Sequence, residues 1–243
     1  MKRINYYLTA GLLSCASLAF AADSTPPAQI TDLLKSRVGG AEVGEAVKTP
    51  VEGIYQARFG SKVAYLTGNG RYILIGDMID LQTMDNLTEI SRRTVNKEAL
   101  DDFSMTNKVI FPSLKETSTV LNIFTDTSCG YCRKLHAEVP ELQKAGIEVR
   151  YIPFPRGGSR GPGYQTLKQV WCAEDRAEAM SIAKETSSGE LSSANCKEAQ
   201  IVDQGYALGN ELGLSGTPAL FTADGQKIDG YVPYQKLIPM LLN

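Results

Sequence analysis

Cys129 and Cys132, with only Gly130 and Tyr131 between them, sit between an apolar β-prone run, Thr119-Val120-Leu121-Asn122-Ile123-Phe124, and a segment that carries Leu135, Val139 and Leu142 on one side. A strand feeding directly into a cysteine-opened helix, followed beyond Gly146 by a second strand at Glu148-Val149-Arg150-Tyr151-Ile152, is a β-α-β unit. It commits this part of the chain to a parallel strand pair bridged by a helix. Pro140 predicts a kink in that helix, and Gly146 predicts its end. A helix-rich stretch from about Gly163 to Leu212 comes next and holds Cys172 and Cys196. Pro218 to Thr222 and Lys227 to Asp229 then form a strand pair around the Asp224-Gly225 turn, before a last helix from Tyr234 to Leu242.

Upstream the pattern differs. Thr25-Pro26-Pro27 starts a short helix with Ile30, Leu33, Leu34 and Val38 on one face, stopped by Gly39-Gly40. Val63 to Thr67 and Arg71 to Ile75 form a hairpin across Gly68-Asn69-Gly70. A unit of this size has a marginal core, for which association through an exposed edge strand is a common remedy. Asn86 with Glu89 is a capping-box-like start, Glu89 can pair with Arg93, and Leu87, Ile90, Val95, Leu100 and Phe103 recur at roughly helical spacing. The expected organisation is residues 1–21 as a leader, 22–83 as a small α+β domain, 84–104 as a helical linker and 105–243 as an α/β-type catalytic domain.

Met1-Lys2-Arg3 followed by a mostly apolar stretch reads as an export signal, with Ala19 and Ala21 around Phe20 placing cleavage after Ala21. An uncleaved anchor is one alternative. Another is Leu12-Leu13-Ser14-Cys15, a lipobox-like run that would acylate Cys15 and tether the protein to a membrane. Cleavage leaves Cys129, Cys132, Cys172 and Cys196, an even set that suits an oxidising compartment. Cys129 and Cys132 form the natural local pair, which leaves Cys172 with Cys196 as a structural disulfide. Lys+Arg 25 against Asp+Glu 27, with no basic block, makes nucleic acid a poor partner. His136 is the sole histidine, so any Ser-His or Cys-His dyad must use it, and neither a metal nor a cofactor is expected.

A thiolate rather than a thiol attacks a disulfide, and a helix start stabilises negative charge. Cys129 is therefore the expected nucleophile and the more exposed of the two, with Cys132, one turn in and shielded, as the resolving thiol. A structural disulfide and half of a zinc or copper site compete with that reading. His136 could be a third ligand or could tune the thiols, but reads better as a partly exposed helix histidine. Ser215-Gly216-Thr217-Pro218-Ala219 places a proline at a strand entrance, where Thr217-Pro218 is a candidate cis peptide.

Phe124-Thr125-Asp126, Cys129-Gly130-Tyr131-Cys132 with Lys134-Leu135-His136, Phe154-Pro155-Arg156, Trp171-Cys172-Ala173, Tyr206-Ala207-Leu208-Gly209 and Ser215 to Ala219 together resemble the DsbC/DsbG family of periplasmic disulfide isomerases, within the thioredoxin superfamily. The Gly-Tyr between the cysteines resembles the DsbC branch. The resemblance implies a C-terminal thioredoxin-like domain with a helical insertion, joined by a helical linker to a small cystatin-like α+β dimerisation domain. It implies a V-shaped homodimer in the periplasm that shuffles wrong disulfides in misoxidised exported proteins and is reduced by the membrane protein DsbD. Gly130, Tyr131, Thr217 and Pro218 are the implied active-site support, with Thr217 and Pro218 engaging substrate. A thiol oxidase of the same fold is the main alternative, and a metal-binding or chaperone-like protein a lesser one.

Overall fold

The computed structural model describes residues 27–37, 43–59, 62–185, 191 and 193–242. The leader, Cys15, Val38 and the Gly39-Gly40 stop lie outside them.

The N-terminal part is one helix and an antiparallel meander. Helix α1 (Pro27–Arg37) buries Ile30 and Leu34 against β2 (Ile54–Phe59) and β3 (Lys62–Thr67), which β1 (Val47–Lys48) and β4 (Ile73–Leu74) flank in the sheet. The strands lie in chain order, with Tyr55 opposite Leu66 and Leu66 opposite Ile73. Tyr55, Ala57 and Leu66 complete a small core with α1. The hairpin expected at Gly68-Asn69-Gly70 is present. Strand β4 closes one edge of the sheet, and its apolar side chains are left in solvent: Ile73 and Leu74 are 47% and 51% exposed, and neighbouring Ile75 is 78% exposed.

Helix α2 (Leu87–Asp102) begins where the sequence places it, with the Asn86 carboxamide accepting from the Glu89 amide at 2.9 Å and Glu89 within 3.8 Å of Arg93. Its buried face departs from the apolar spacing. Ile90 is 52% exposed, whereas Thr88 and Asn96 are buried with Leu100. The reason is polar satisfaction at both ends of the helix. Thr88 bonds the Tyr65 hydroxyl and accepts from the Met78 amide, and Asn96 donates to the Gly225 carbonyl at 3.0 Å. Gly225 has φ +86° and lies so close to α2 that a Cβ there would meet the Arg93 carbonyl oxygen at 2.1 Å. Arg93 also pairs with Asp224 at 3.1 Å. The helix is thus clamped onto a turn of the second sheet.

That sheet has the order β5-β7-β6-β8-β9. Strands β6 (Thr119–Thr125) and β7 (Ile147–Pro153) are parallel, while β5 (Val109–Phe111), β8 (Ala219–Thr222) and β9 (Lys227–Asp229) pair antiparallel around them. Strand β6 is central, and Leu121, Ile123 and Phe124 are fully buried. The crossover between β6 and β7 is α3 (Gly130–Ala137) and α4 (Val139–Lys144). The kink expected at Pro140 is a full break at Glu138, because proline in the first turn of α4 has no N–H to continue α3. Gly146, at φ +89°, ends the crossover.

Helices α5 (Tyr164–Cys172), α6 (Arg176–Glu185) and α7 (Ile201–Glu211) cover the sheet with Trp171, Met180 and Val202 in its core, and α8 (Tyr234–Leu242) packs Leu237 there. Cys172 is bonded to Cys196 across a sequence separation of 24. In the chain-entropy account a cross-link of this length contributes about 3–4 kcal/mol. A Cys172→Ala/Cys196→Ala protein should therefore unfold at a clearly lower urea midpoint, by about that free energy. An unchanged midpoint would show that the bridge carries no stability.

Candidate active site

The two central strands of the second sheet deliver their ends to one place. Strand β6 ends at Thr125, and the chain turns through Asp126-Thr127-Ser128 into α3 with Cys129 as its N-cap. The Cys129 sulfur accepts from the Cys132 amide at 3.4 Å, as an N-cap side chain does. In its thiol form it donates to the Thr217 carbonyl at 3.2 Å. Thr217-Pro218 is the one cis peptide among the described residues, and the contact with Cys129 places the loop before β8 beside the cysteines. Thr217, Pro218 and both cysteines are thereby gathered in one site.

The two sulfurs are electrostatically unequal. The Cys132 thiol donating to the Cys129 sulfur is the largest influence on Cys129 and draws its pKa down to about 5. Burial opposes this, and the Cys132 amide and the Arg156 charge add to it. Cys132 goes the other way, pushed up first by its bond to Cys129 and then by burial. By side-chain exposure both are buried, Cys129 at 3% and Cys132 at 1%, so the expected contrast in exposure is slight and the contrast in proton affinity is what separates them. The Thr217 hydroxyl oxygen is buried with no hydrogen-bond partner among the described residues, a polar atom left open beside Cys129.

Gly130 and Tyr131 form the outer lip. A Cβ at Gly130 would meet nothing within 4 Å, so this glycine leaves open space in front of Cys129. Tyr131 is 64% exposed and stacks on Tyr231 at 6.0 Å, and Lys134 lies 4.6 Å from the centre of the Tyr231 ring.

Beneath the lip is a polar layer that spacing in the sequence does not reveal. Asp126 is fully buried. It accepts from the Arg156 amide at 2.9 Å, the Arg156 Nε at 3.1 Å, and the Ser128 amide and hydroxyl at 2.8 and 2.7 Å. Burial works to raise its pKa, but the Arg156 and Ser128 donors outweigh it and hold the carboxyl below its ordinary range. Gly163 makes room for it, since a Cβ there would meet Asp126 Oδ1 at 2.0 Å. Arg156, kept in place by this carboxylate, turns its charge toward Cys129.

His136 corrects an expectation. It is 7% exposed rather than partly exposed, because α6 and β7 enclose it. Its Nδ1 lies 3.0 Å from the Tyr151 hydroxyl and its Nε2 3.2 Å from the Ser181 hydroxyl. Burial first, and then the Lys184 charge, draw its pKa down to about 4, so the ring is neutral at pH 7. Both ring nitrogens are committed to hydroxyls, and no group of three or more His, Cys, Asp or Glu suited to a metal ion occurs among the described residues. An acidic, capped thiol beside a proton-retaining one, with an open polar atom and free space before the first, is an arrangement suited to thiol-disulfide exchange.

Comparison with known proteins points the same way. Residues 113–243 match the thioredoxin-like domain family, and residues 21–89 match the disulfide bond isomerase protein N-terminal domain family. The thiol:disulfide interchange protein DsbC of Salmonella typhimurium is 34% identical over 193 residues, 79% of this chain and 78% of that protein. Its counterpart from Pasteurella multocida is 32% identical over 233 residues, 95% of each chain. That from Escherichia coli is 32% identical over 199 residues, 82% and 80% of the two.

Proposed function

This chain belongs to the DsbC family of thiol:disulfide interchange proteins, and from that premise we propose that it rearranges non-native disulfides through Cys129 and Cys132. The observation that carries the proposal is the opposed proton affinity of the two thiols at one helix start.

The Cys129 thiolate attacks one sulfur of a substrate disulfide. A bond forms between Cys129 and that sulfur, the substrate S–S bond breaks, and the other substrate sulfur leaves as a thiolate. Three outcomes follow from this mixed disulfide. The freed substrate thiolate attacks the substrate sulfur and restores the original bond, or a different substrate thiol attacks it and makes a new one; both regenerate Cys129, and the second is isomerisation. Alternatively Cys132 attacks the Cys129 sulfur, expelling the substrate thiolate and oxidising the enzyme pair, which is reduction of the substrate. Thr217 and Pro218 line the approach, and Gly130 and Tyr131 frame it. An oxidised pair needs a reductant before it can act again, a part suited to a membrane reductase of the DsbD kind.

The remaining parts of the reading are assigned together. Residues 22–83 form the dimerisation domain, 84–104 the linker and 105–243 the catalytic domain, with 1–21 removed on export to the periplasm. The homodimer is the working unit. Two catalytic sites on one particle hold a misoxidised chain while its disulfides are exchanged.

The test is recovery of activity from a scrambled multi-disulfide substrate, with a fully reduced substrate as the second arm. Recovery in the scrambled arm by catalytic amounts of the reduced protein is the expected result. Activity confined to the reduced arm would assign a thiol oxidase instead.

A further inference from the structure

Lys184 is a buried cation for which the reaction so far described has no use. It lies on α6, is 3% exposed, and its ammonium donates to the Thr125 hydroxyl at 2.6 Å and the Asp126 carbonyl at 3.0 Å. Both acceptors are neutral. The carboxylate of Asp126 is taken up by Arg156 and Ser128, and no carboxylate pairs with Lys184 among the described residues. Removing an ammonium from water without a counter-charge is expensive, so its retention asks for an anion that is present only part of the time.

The surroundings identify that anion. Thr125 and Asp126 are the last residues of β6 and the first of the turn into Cys129-Gly-Tyr-Cys132, so the lysine is anchored directly under the pair. From α3, Cys132, Arg133 and His136 face this region, with Tyr151 from β7 and Glu185 from α6 itself. His136 is held neutral by burial, Tyr151 keeps its proton, and Arg133 adds positive charge. Glu185 is exposed to solvent at the end of α6, so of the groups that face Lys184 and can become negative Cys132 is the buried one without a standing counter-charge, and Lys184 is the strongest influence lowering it against its burial. Burial brings Lys184 itself down to about 8, with Cys132 the foremost group opposing that fall. A cleft of about 380 Å³ lined by Phe111, Arg133, His136, Ser181 and Lys184 opens beside it, a route by which a proton can reach solvent.

We propose that Lys184 is the positioning cation of the resolving step, stabilising Cys132 as a thiolate at the moment it attacks the Cys129 mixed disulfide. This rests on the assignment of Cys132 as the resolving thiol. In the step, the Cys132 proton leaves to solvent, the Cys132 sulfur bonds the Cys129 sulfur, and the substrate sulfur departs with the electron pair. The enzyme pair is oxidised and the substrate reduced, while Lys184 remains an ammonium at pH 7, below its own pKa of about 8. Its effect is a choice between outcomes. A prompt Cys132 thiolate favours escape, and a slow one leaves the substrate attached for longer rearrangement.

The experiment follows the mixed disulfide between the reduced protein and a model peptide disulfide by acid quench and mass spectrometry, from pH 6 to 9. Lys184→Gln keeps a donor for the Thr125 and Asp126 oxygens without the charge, Lys184→Met removes both, and Cys132→Ser is the reference for a blocked resolving step. Release should slow about tenfold at pH 7 in both lysine variants, the equivalent of about one unit of thiol pKa, and should recover at higher pH. Alkylation of Cys129 should change less than threefold. Should Lys184→Met fail to fold, Lys184→Gln carries the test. Wild-type release with Lys184→Gln would overturn the proposal and reduce Lys184 to a hydrogen-bond anchor. Failure of Cys132→Ser to accumulate the mixed disulfide would instead overturn the role of Cys132 on which it rests.

Discussion

A Cys129→Ser protein should show no thiol-disulfide interchange above the uncatalysed background, a loss of at least about 10³-fold, because a serine hydroxyl supplies no anion at neutral pH to attack sulfur. Cys132→Ser should behave differently. Its Cys129 still attacks, but the mixed disulfide has lost its internal exit, so covalent complexes with substrate should accumulate on a non-reducing gel. The pH dependence separates the two sulfurs without mutation. Acid protonates a thiolate, so alkylation of Cys129 in the reduced protein should stay level through neutral pH and fall to half near pH 5, where the structure places its pKa. A sulfur with an unperturbed pKa would already be losing rate below pH 9. Cys132, held protonated, should resist alkylation over the same range, and Cys172 and Cys196 are unreactive while bonded to each other. Peptide mapping of the adducts reads all four cysteines at once. Alkylation of Cys132 ahead of Cys129 would reverse the assignment of nucleophile and resolving thiol.

These roles show where the chain speaks plainly and where it does not. The β-α-β unit is legible because β6 and β7 are buried strands that leave unbroken apolar runs, and because the residue that caps α3 is itself the reactive one. The β-α-β core and the α+β N-terminal part follow from such local signals, whereas the thioredoxin-like fold comes from the family resemblance of the motifs. The N-terminal sheet is less legible. Strand β2 alternates buried Tyr55 and Ala57 with Gln56 and Arg58, a short run whose apolar members are too few to stand out although Pro50 and Gly53 mark the turn before it. Helix α2 misleads more, since its apolar Ile90 points out and its Thr88 and Asn96 point in. Periodicity registers hydrophobicity and is blind to a polar side chain whose partners arrive from another segment. The same holds for the layer under the cysteines. Asp126, Arg156 and Lys184 come from three separate segments, and each looks like an ordinary surface charge until the fold takes Asp126 and Lys184 out of water and sets Arg156 against the Asp126 carboxylate. His136 is misread as partly exposed for that reason, as the bulk that covers it comes from α6 and β7.

Placing lysines at Ile73 and Ile75 together should convert the protein from a dimer to a monomer and separate its two activities. Strand β4 is an outer strand of its sheet, and Tyr72, Ile73, Leu74 and Ile75 are each 47% or more exposed on the chain alone. Leu81 and Met84 nearby are 82% and 71% exposed. An unpaired edge with this much apolar surface is a hazard for a monomer and a ready interface for a symmetric pair. Two ammonium groups forced into such an interface face each other's copies without counter-charge, at a cost of several kcal/mol and so a dissociation constant raised by at least about 10³-fold. Sedimentation at micromolar concentration should then report a monomer. The catalytic chemistry sits on the second sheet, whose core does not include β4, so insulin reduction should stay within about twofold of the parent. Recovery of a scrambled substrate should fall about tenfold or more, because a single site releases a misfolded chain that two sites on one particle retain. A monomer that recovers scrambled substrate as well as the dimer would show that one thiol pair suffices and that association serves only to cover the β4 edge.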